Sequence, residues 1–262
     1  MFLTRLGRHF REQDWFAVVV EVLVVIVGLM LAFQLDRWRE QQIDRQDEYA
    51  YIDRLIVDIE EDIPTIETAI EIAELRLEFV NKLMAVAVDP RTALDQPAVF
   101  LAAVNQASFT FAPSLTRHTF DDLRTTGNMR LIRDSDIKDA LFDYYGWEES
   151  QRQFRPIQIS VEFRHFELAA GVLTHAQENY IQDHWLVVGR RNIDELRNAE
   201  PDLAQVLAAA ERFSERAELV AWLPQLRQLH KERILVSTAL IERARVLVEI
   251  LRKYSAGVSG TL

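Results

Sequence analysis

The sequence predicts an all-α protein: an N-terminal transmembrane helix followed by an elongated antiparallel helical bundle with two long helices. Three observations predict it. Residues 15–35, WFAVVVEVLVVIVGLMLAFQL, form an apolar run in which Glu21 is the single ionisable residue. Glycine and proline are scarce, eight and seven in 262 residues, while Ala, Leu, Glu, Arg and Val fill long segments, a balance that favours helix. Two stretches near opposite ends of the chain carry apolar residues alternately three and four apart.

The apolar run comes first. At 1.5 Å per residue it makes about 31 Å of helix, the thickness of a bilayer's hydrocarbon core. It is longer than the apolar region of a cleaved signal peptide, and the LAFQLDRW that follows lacks a small-x-small cleavage site, so an uncleaved signal anchor is expected. Residues 1–14 form a short basic tail before it. Arg5, Arg8 and Arg11 precede the span and Arg37, Arg39 and Arg45 follow it, so basic residues alone do not set the orientation. The short tail ahead of a large body favours a cytoplasmic N-terminus and a periplasmic or otherwise extracytoplasmic body. Trp15 and Trp38 bracket the run as interfacial anchors.

Around the helix, Ala17, Glu21, Gly28 and Ala32 fall within about 60° of one another. Small residues let a second helix approach closely, and a carboxyl group in hydrocarbon is costly unless protonated, paired or facing an interface. This stripe is therefore the expected association face, toward a second copy or another membrane protein. Glu21 has either a structural role in that contact or a proton-carrying one.

The chain turns polar at Asp36-Arg37-Trp38-Arg39-Glu40, where the bundle of residues 36–254 begins. Ile52, Ile56, Ile59, Ile63, Ile66, Ile70, Ala73, Leu77, Val80 and Met84 then form a heptad seam. The seam keeps its register across Pro64, which favours a kinked continuous helix over a break in which Asp62 caps a new one. Asp89-Pro90 ends the element. Beyond it, residues 97–107 read as a helix started by Pro97, and 109–113 as extended chain or loop. Thr119 with Asp122 marks a short helix stopped at Gly127-Asn128, and Asp134 or Ser135 caps another that carries Ile137, Leu141 and Tyr144 or Tyr145 on one face. A helix over about 157–178 follows Pro156, residues 180–200 are mixed, and Pro201 starts a further short helix. The last helical stretch runs from about Phe213 to Tyr254, kinked or started by Pro224, with Ile234, Ser237, Ile241, Ala244, Val248 and Leu251 as its seam. Two seamed helices at opposite ends of one domain pack most simply antiparallel, returning Arg252 and Lys253 toward the membrane surface. Residues 255–262, SAGVSGTL, have little to bury and are expected to be disordered.

The strings VEVLVVIVGLMLAFQLDRWREQ, YIDRLIVDIEED and TFDDLRTTGNMRLIRDSDIKDALFDYY resemble a bacterial family of single-span membrane proteins known as domain of unknown function family 6090. The resemblance covers most of the chain. Its most specific elements are Glu21 ahead of Gly28–Gln34, Trp38 and Glu40, and the Thr119–Gly127–Leu131–Tyr145 segment; Pro64 departs from the smooth acidic helix the family implies. The family implies a bacterial cell membrane and a helical body, and carries no activity to transfer.

Composition narrows the function. A net charge of −11 with no dominant basic cluster argues against nucleic acid as a partner. The absence of Cys excludes disulfides and thiolate metal sites. Glu162-x-x-His165 matches half of a bundle di-iron pattern, but no second copy exists. His118, His175, His184 and His230 are scattered, with His230 on the last seam as a core histidine. Ser114 and Thr116 lack a glycine-framed elbow, and no phosphate-cradling loop is present. Phe142, Tyr144, Tyr145, Trp147, Phe163 and Phe166 are expected in the core or lining a pocket between helices. No catalytic, cofactor or metal site is expected. The sequence therefore points to a non-enzymatic binding, sensory or scaffold module in the lipid bilayer. The alternatives are an ion-coupled membrane component using Glu21 or an enzyme with an unrecognised site.

Overall fold

A computed structural model of the protein describes the backbone of residues 15–184 and 193–259 and the side chains of residues 18–182 and 193–256. Every described element is helical, so the all-α expectation holds. The chain divides into two units, residues 1–51 and 52–262.

Helix α1 (Trp15–Val88) starts in the first unit and continues into the second. Its first part is rich in Val, a mediocre helix former in water. In hydrocarbon such a segment stays helical, because each backbone N–H and C=O must find its partner within it. Every side chain from Val18 to Glu40 is exposed. Eighteen consecutive residues of this stretch have a mean hydropathy of 2.7, and none of them is buried. This helix is long and apolar enough to cross a membrane.

Within the second unit α1 passes through Pro64 without a break. Pro64 cannot donate to the preceding turn, and its own carbonyl accepts a second bond from Thr68 Oγ1 at 2.9 Å. The expected seam is half right. Ile52, Ile59, Ile66, Ala73 and Val80 are buried, but Ile56, Ile63, Ile70, Leu77 and Met84 are only half-buried. The other buried row is one residue earlier: Leu55, Asp62, Ala69, Arg76 and Leu83. Two charged residues occupy positions of that row, and this hid it from a reading based on apolar spacing.

After a 3-10 turn at Pro90–Asp95, capped by the Asp89 carboxylate on the Arg91 N–H, α2 (Pro97–Gln106) enters the core. Ala98 through Val104 are all buried, and the alanines let neighbours approach closely. Around α2 pack Leu75, Phe79 and Leu83 of α1, and Val206, Ala209 and Phe213 of α8 (Leu203–Ser214). Leu223 and Leu226 of α9 (Ala217–Ser259) complete this core, and Phe100 meets Phe213 edge-on at 6.1 Å.

Helix α9 lies antiparallel to the body part of α1. Arg252 pairs with Glu60, and Arg245 pairs with Glu67 at 3.1 Å, so a step of seven residues forward on one helix matches seven backward on the other. Ser237, Ile241, Ala244, Val248 and Leu251 are buried as expected, while Arg233 takes the place expected of Ile234.

Four local expectations are corrected. Helix α3 (His118–Thr125) is not capped by Thr119, which lies inside it. The helix expected over 157–178 is two, α5 (Arg155–Ala169) and α6 (His175–His184). Gly171 turns between them at φ 77°, and Thr174 and Gln177 form a reciprocal capping box that starts α6. Arg212 and Arg216 of the α8–α9 region hold the break by donating to the Val172 and Leu168 carbonyls. Phe213 belongs to α8, and Pro224 lies within α9 rather than starting it. Finally, α9 runs on to Ser259, so residues 255–259 of the expected disordered tail are helical, and 260–262 lie outside the described residues. Of the mixed segment 180–200, residues 185–192 lie outside the described residues, and α7 (Ile193–Arg197) follows them.

Candidate functional site

The proposed association face lies on the exposed part of α1. Glu21, Gly28 and Ala32 are exposed, and a Cβ built on Gly28 meets nothing within 4 Å. Trp38 is exposed as well. Ala17 and Trp15 belong to the same helix, but their side chains and the basic tail of residues 1–14 lie outside the described residues.

The body contains a buried polar layer. Helix α3 begins at Arg117, whose side chain offers no acceptor, so its first N–H groups need partners from elsewhere. The long helix supplies one: Asp58 Oδ2 accepts the Thr119 N–H at 3.2 Å, while Asp62 Oδ1 accepts the Thr116 N–H at 2.7 Å and so fixes the chain just ahead of the helix. The remaining oxygen of Asp62 accepts the Tyr144 hydroxyl at 3.0 Å. Tyr144 stands on α4 (Ser135–Arg152), which Asp134 caps through the Asp136 and Ile137 N–H groups. Burial pushes the Asp62 carboxyl above its usual range, with the Thr116 and Tyr144 hydrogen bonds acting against that rise. Burial raises the Tyr144 phenol too, and the Asp62 charge adds to it.

Beside this contact Tyr145 stacks on Phe120 at 4.3 Å and donates to the Thr116 carbonyl at 3.3 Å. Arg117 lies over both rings and donates to the Tyr145 carbonyl at 3.2 Å and to Glu148 at 2.9 Å. Glu148 also accepts from Arg152 at 2.6 Å. The layer thus joins α1, α3 and α4 through groups whose donors and acceptors are matched.

The candidates for chemistry are drawn into structural roles. Glu162 accepts from Thr110, and His165 Nε2 donates to the Val104 carbonyl at 3.0 Å. His230 Nε2 donates to the Ala107 carbonyl at 2.7 Å, so His230 is the core histidine its seam position predicted. Burial holds the His230 imidazole down to about 4, and burial also lowers His165. His175 accepts from its own-helix neighbour Asn179 at 3.2 Å, and the His184 side chain lies outside the described residues. Among the described residues no three His, Asp or Glu side chains are grouped to hold a metal. Of the aromatic positions expected in the core, Tyr144 and Tyr145 are there, but Phe142 and Phe163 are exposed. Phe166 meets Phe109 at 5.3 Å, and Trp147 lies under Arg243 at 4.5 Å. Phe142 lies outward of Phe120, which fills the inner place itself, at 5.5 Å between rings.

Sequence reasoning missed Asp58, Asp62 and Arg76 as inward groups. A signal was present, because Asp62 and Arg76 are two heptads apart and in step with Leu55, Ala69 and Leu83.

Compared with family models, curated proteins and solved structures, the chain matches none.

Proposed function

We propose that the chain is a single-pass protein of a bacterial inner membrane, with its N-terminus in the cytoplasm and its helical body outside. In this reading it is a non-enzymatic binding, sensory or scaffold module that assembles through its span. The observation that carries the reading is the run from Val18 to Leu35, apolar and exposed along its whole length. Exposed apolar surface of this extent is stable only in lipid or against another protein. The body supports the non-enzymatic part, since Asp58, Asp62, Glu148, His165 and His230 all serve hydrogen bonds that hold helices together. The resemblance of the span-proximal strings to a bacterial single-span family supports the choice of membrane.

Membrane fractionation and a topology reporter test the reading. The full chain is expected in the membrane fraction after alkaline extraction. A reporter fused after Leu262 is expected to be active in the periplasm and silent in the cytoplasm. Release by alkali would overturn the anchor, and cytoplasmic reporter activity would overturn the orientation while leaving the fold intact.

A further inference from the structure

At the joint between α4 and α5 three arginines converge on one small cavity. Arg152 ends α4, Arg155 begins α5, and Arg233 comes from α9; together with Glu148 and Gln158 they line a space of about 50 Å³. Glu148, the acidic residue of this lining, is already held by Arg117 and Arg152. That leaves Arg155 and Arg233.

Arg233 is 7% exposed, yet its hydrogen bond goes to a neutral group, from Nη2 to the Gln158 side-chain oxygen, and its Nε has no partner among the described residues. Burial makes its charge harder to hold, the nearby Arg155 charge adds to that, and Glu232 and Glu162 ease it only through space. Glu162 is bonded to Thr110 instead. A guanidinium this far from water, beside a second one, is costly without an anion, and the flat fork of arginine matches a planar carboxylate or a phosphate. The rest of the lining is mostly apolar, with Ala112, Pro113, Val236 and Leu240 beside the single hydroxyl of Ser237. A tetrahedral phosphate presents oxygen in every direction, including toward these carbon side chains, whereas a carboxylate with a short alkyl end offers charge to the arginines and carbon to Val236 and Leu240. The space is several times the roughly 10–15 Å³ that holds one water and suits a group of a few heavy atoms.

We propose that this cavity binds a small monocarboxylate of two or three carbons, its carboxylate on Arg155 and Arg233 and its alkyl end against Val236 and Leu240. This gives the binding-module reading a ligand class and rests on that reading, while the membrane anchor stands or falls separately.

The test uses the full chain in detergent micelles, with its melting temperature followed against acetate, propionate, phosphate and chloride at matched ionic strength. Acetate and propionate are expected to raise the melting temperature saturably, and chloride is not. Arg155→Gln, at an exposed position whose loss leaves the core intact, should raise the half-saturating concentration at least tenfold. Arg227→Gln, on an exposed face of α9, should leave it unchanged. The proposal is overturned by an equal response to chloride, by stronger binding of phosphate, by no saturable response to either carboxylate, or by an unaltered response in Arg155→Gln. A chain that resists alkaline extraction but shows no carboxylate response loses the cavity proposal and keeps its anchor; a chain released by alkali that still binds acetate does the reverse.

Discussion

Asp62 and Tyr144 meet in the interior at 3.0 Å, with Asp62 2% exposed and Tyr144 fully buried. The carboxylate is satisfied because the Thr116 N–H occupies its other oxygen. Removing either partner therefore has unequal effects. Asp62→Ala leaves the buried Tyr144 hydroxyl and the Thr116 N–H without acceptors, and is expected to destabilise the body by about 3 kcal/mol or more. Tyr144→Phe leaves Asp62 one donor short and should cost about 1–2 kcal/mol. Urea denaturation of both variants and of the double variant measures this. Strictly additive effects would show that the two residues are not coupled.

The buried histidines make stability depend on pH. The His230 imidazole is held down to about 4 from an ordinary 6.5, by burial first and then by the Arg76, Arg233 and His165 neighbours, against the pull of the Ala107 carbonyl. A basic group depressed in this way binds its proton in the unfolded chain first, so stability is full above about pH 6.5 and falls as the pH drops toward 4. The loss from His230 is about 3 kcal/mol. His165, lowered by burial, acts in the same direction, and the raised Asp62 carboxyl acts in the opposite one at the acid end. Melting temperatures between pH 8 and pH 4 should fall more steeply in the parent than in His230→Gln. Parallel curves would remove His230 as a cause.

The register of α1 is open to a direct comparison. Leu55→Ala, at a fully buried position, should cost about 2–5 kcal/mol, and Ile56→Ala, half-buried beside it, distinctly less. Reversed costs would restore the register that apolar spacing alone suggests. Ile59→Asp and Ile241→Asp should each destabilise by several kcal/mol through an unpaired buried charge, while Leu235→Asp, at a 70% exposed position, should be nearly silent.

Association through the span is tested on the full chain in lipid. Gly28→Leu fills the groove of the small-residue face and should weaken self-association. Ile26→Leu, about 160° around the helix from it, should be tolerated. Glu21→Gln keeps shape and hydrogen bonding, so association should survive it if the carboxyl group is structural. Loss of function with association intact would instead assign Glu21 to proton exchange. Equal association of Gly28→Leu and Ile26→Leu would displace the proposed face.

Features set by neighbouring residues were legible in the sequence. The apolar run ending at Asp36 needs only its own composition to be long and apolar enough for a bilayer. Asp134 caps α4, Gly127 adopts the left-handed turn after α3, and Pro97 opens α2, each because its own side chain or backbone decides the matter within a few residues. The Thr174–Gln177 box is equally local, within a stretch whose composition alone favours one longer helix. Other features arise only when distant segments meet. Spacing marks Asp62 and Arg76 as breaks in a seam, because a charged residue becomes an inward one only where folding brings it donors or aromatic faces. Thr116 and Tyr144 reach Asp62 from 54 and 82 residues away. The capping of α3 by Asp58, the hold of Asp62 on the chain just before it, and the arginine-lined cavity at the α4–α5 joint have the same origin. Apolar periodicity records which residues avoid water, and only the tertiary structure decides which charges can afford to join them.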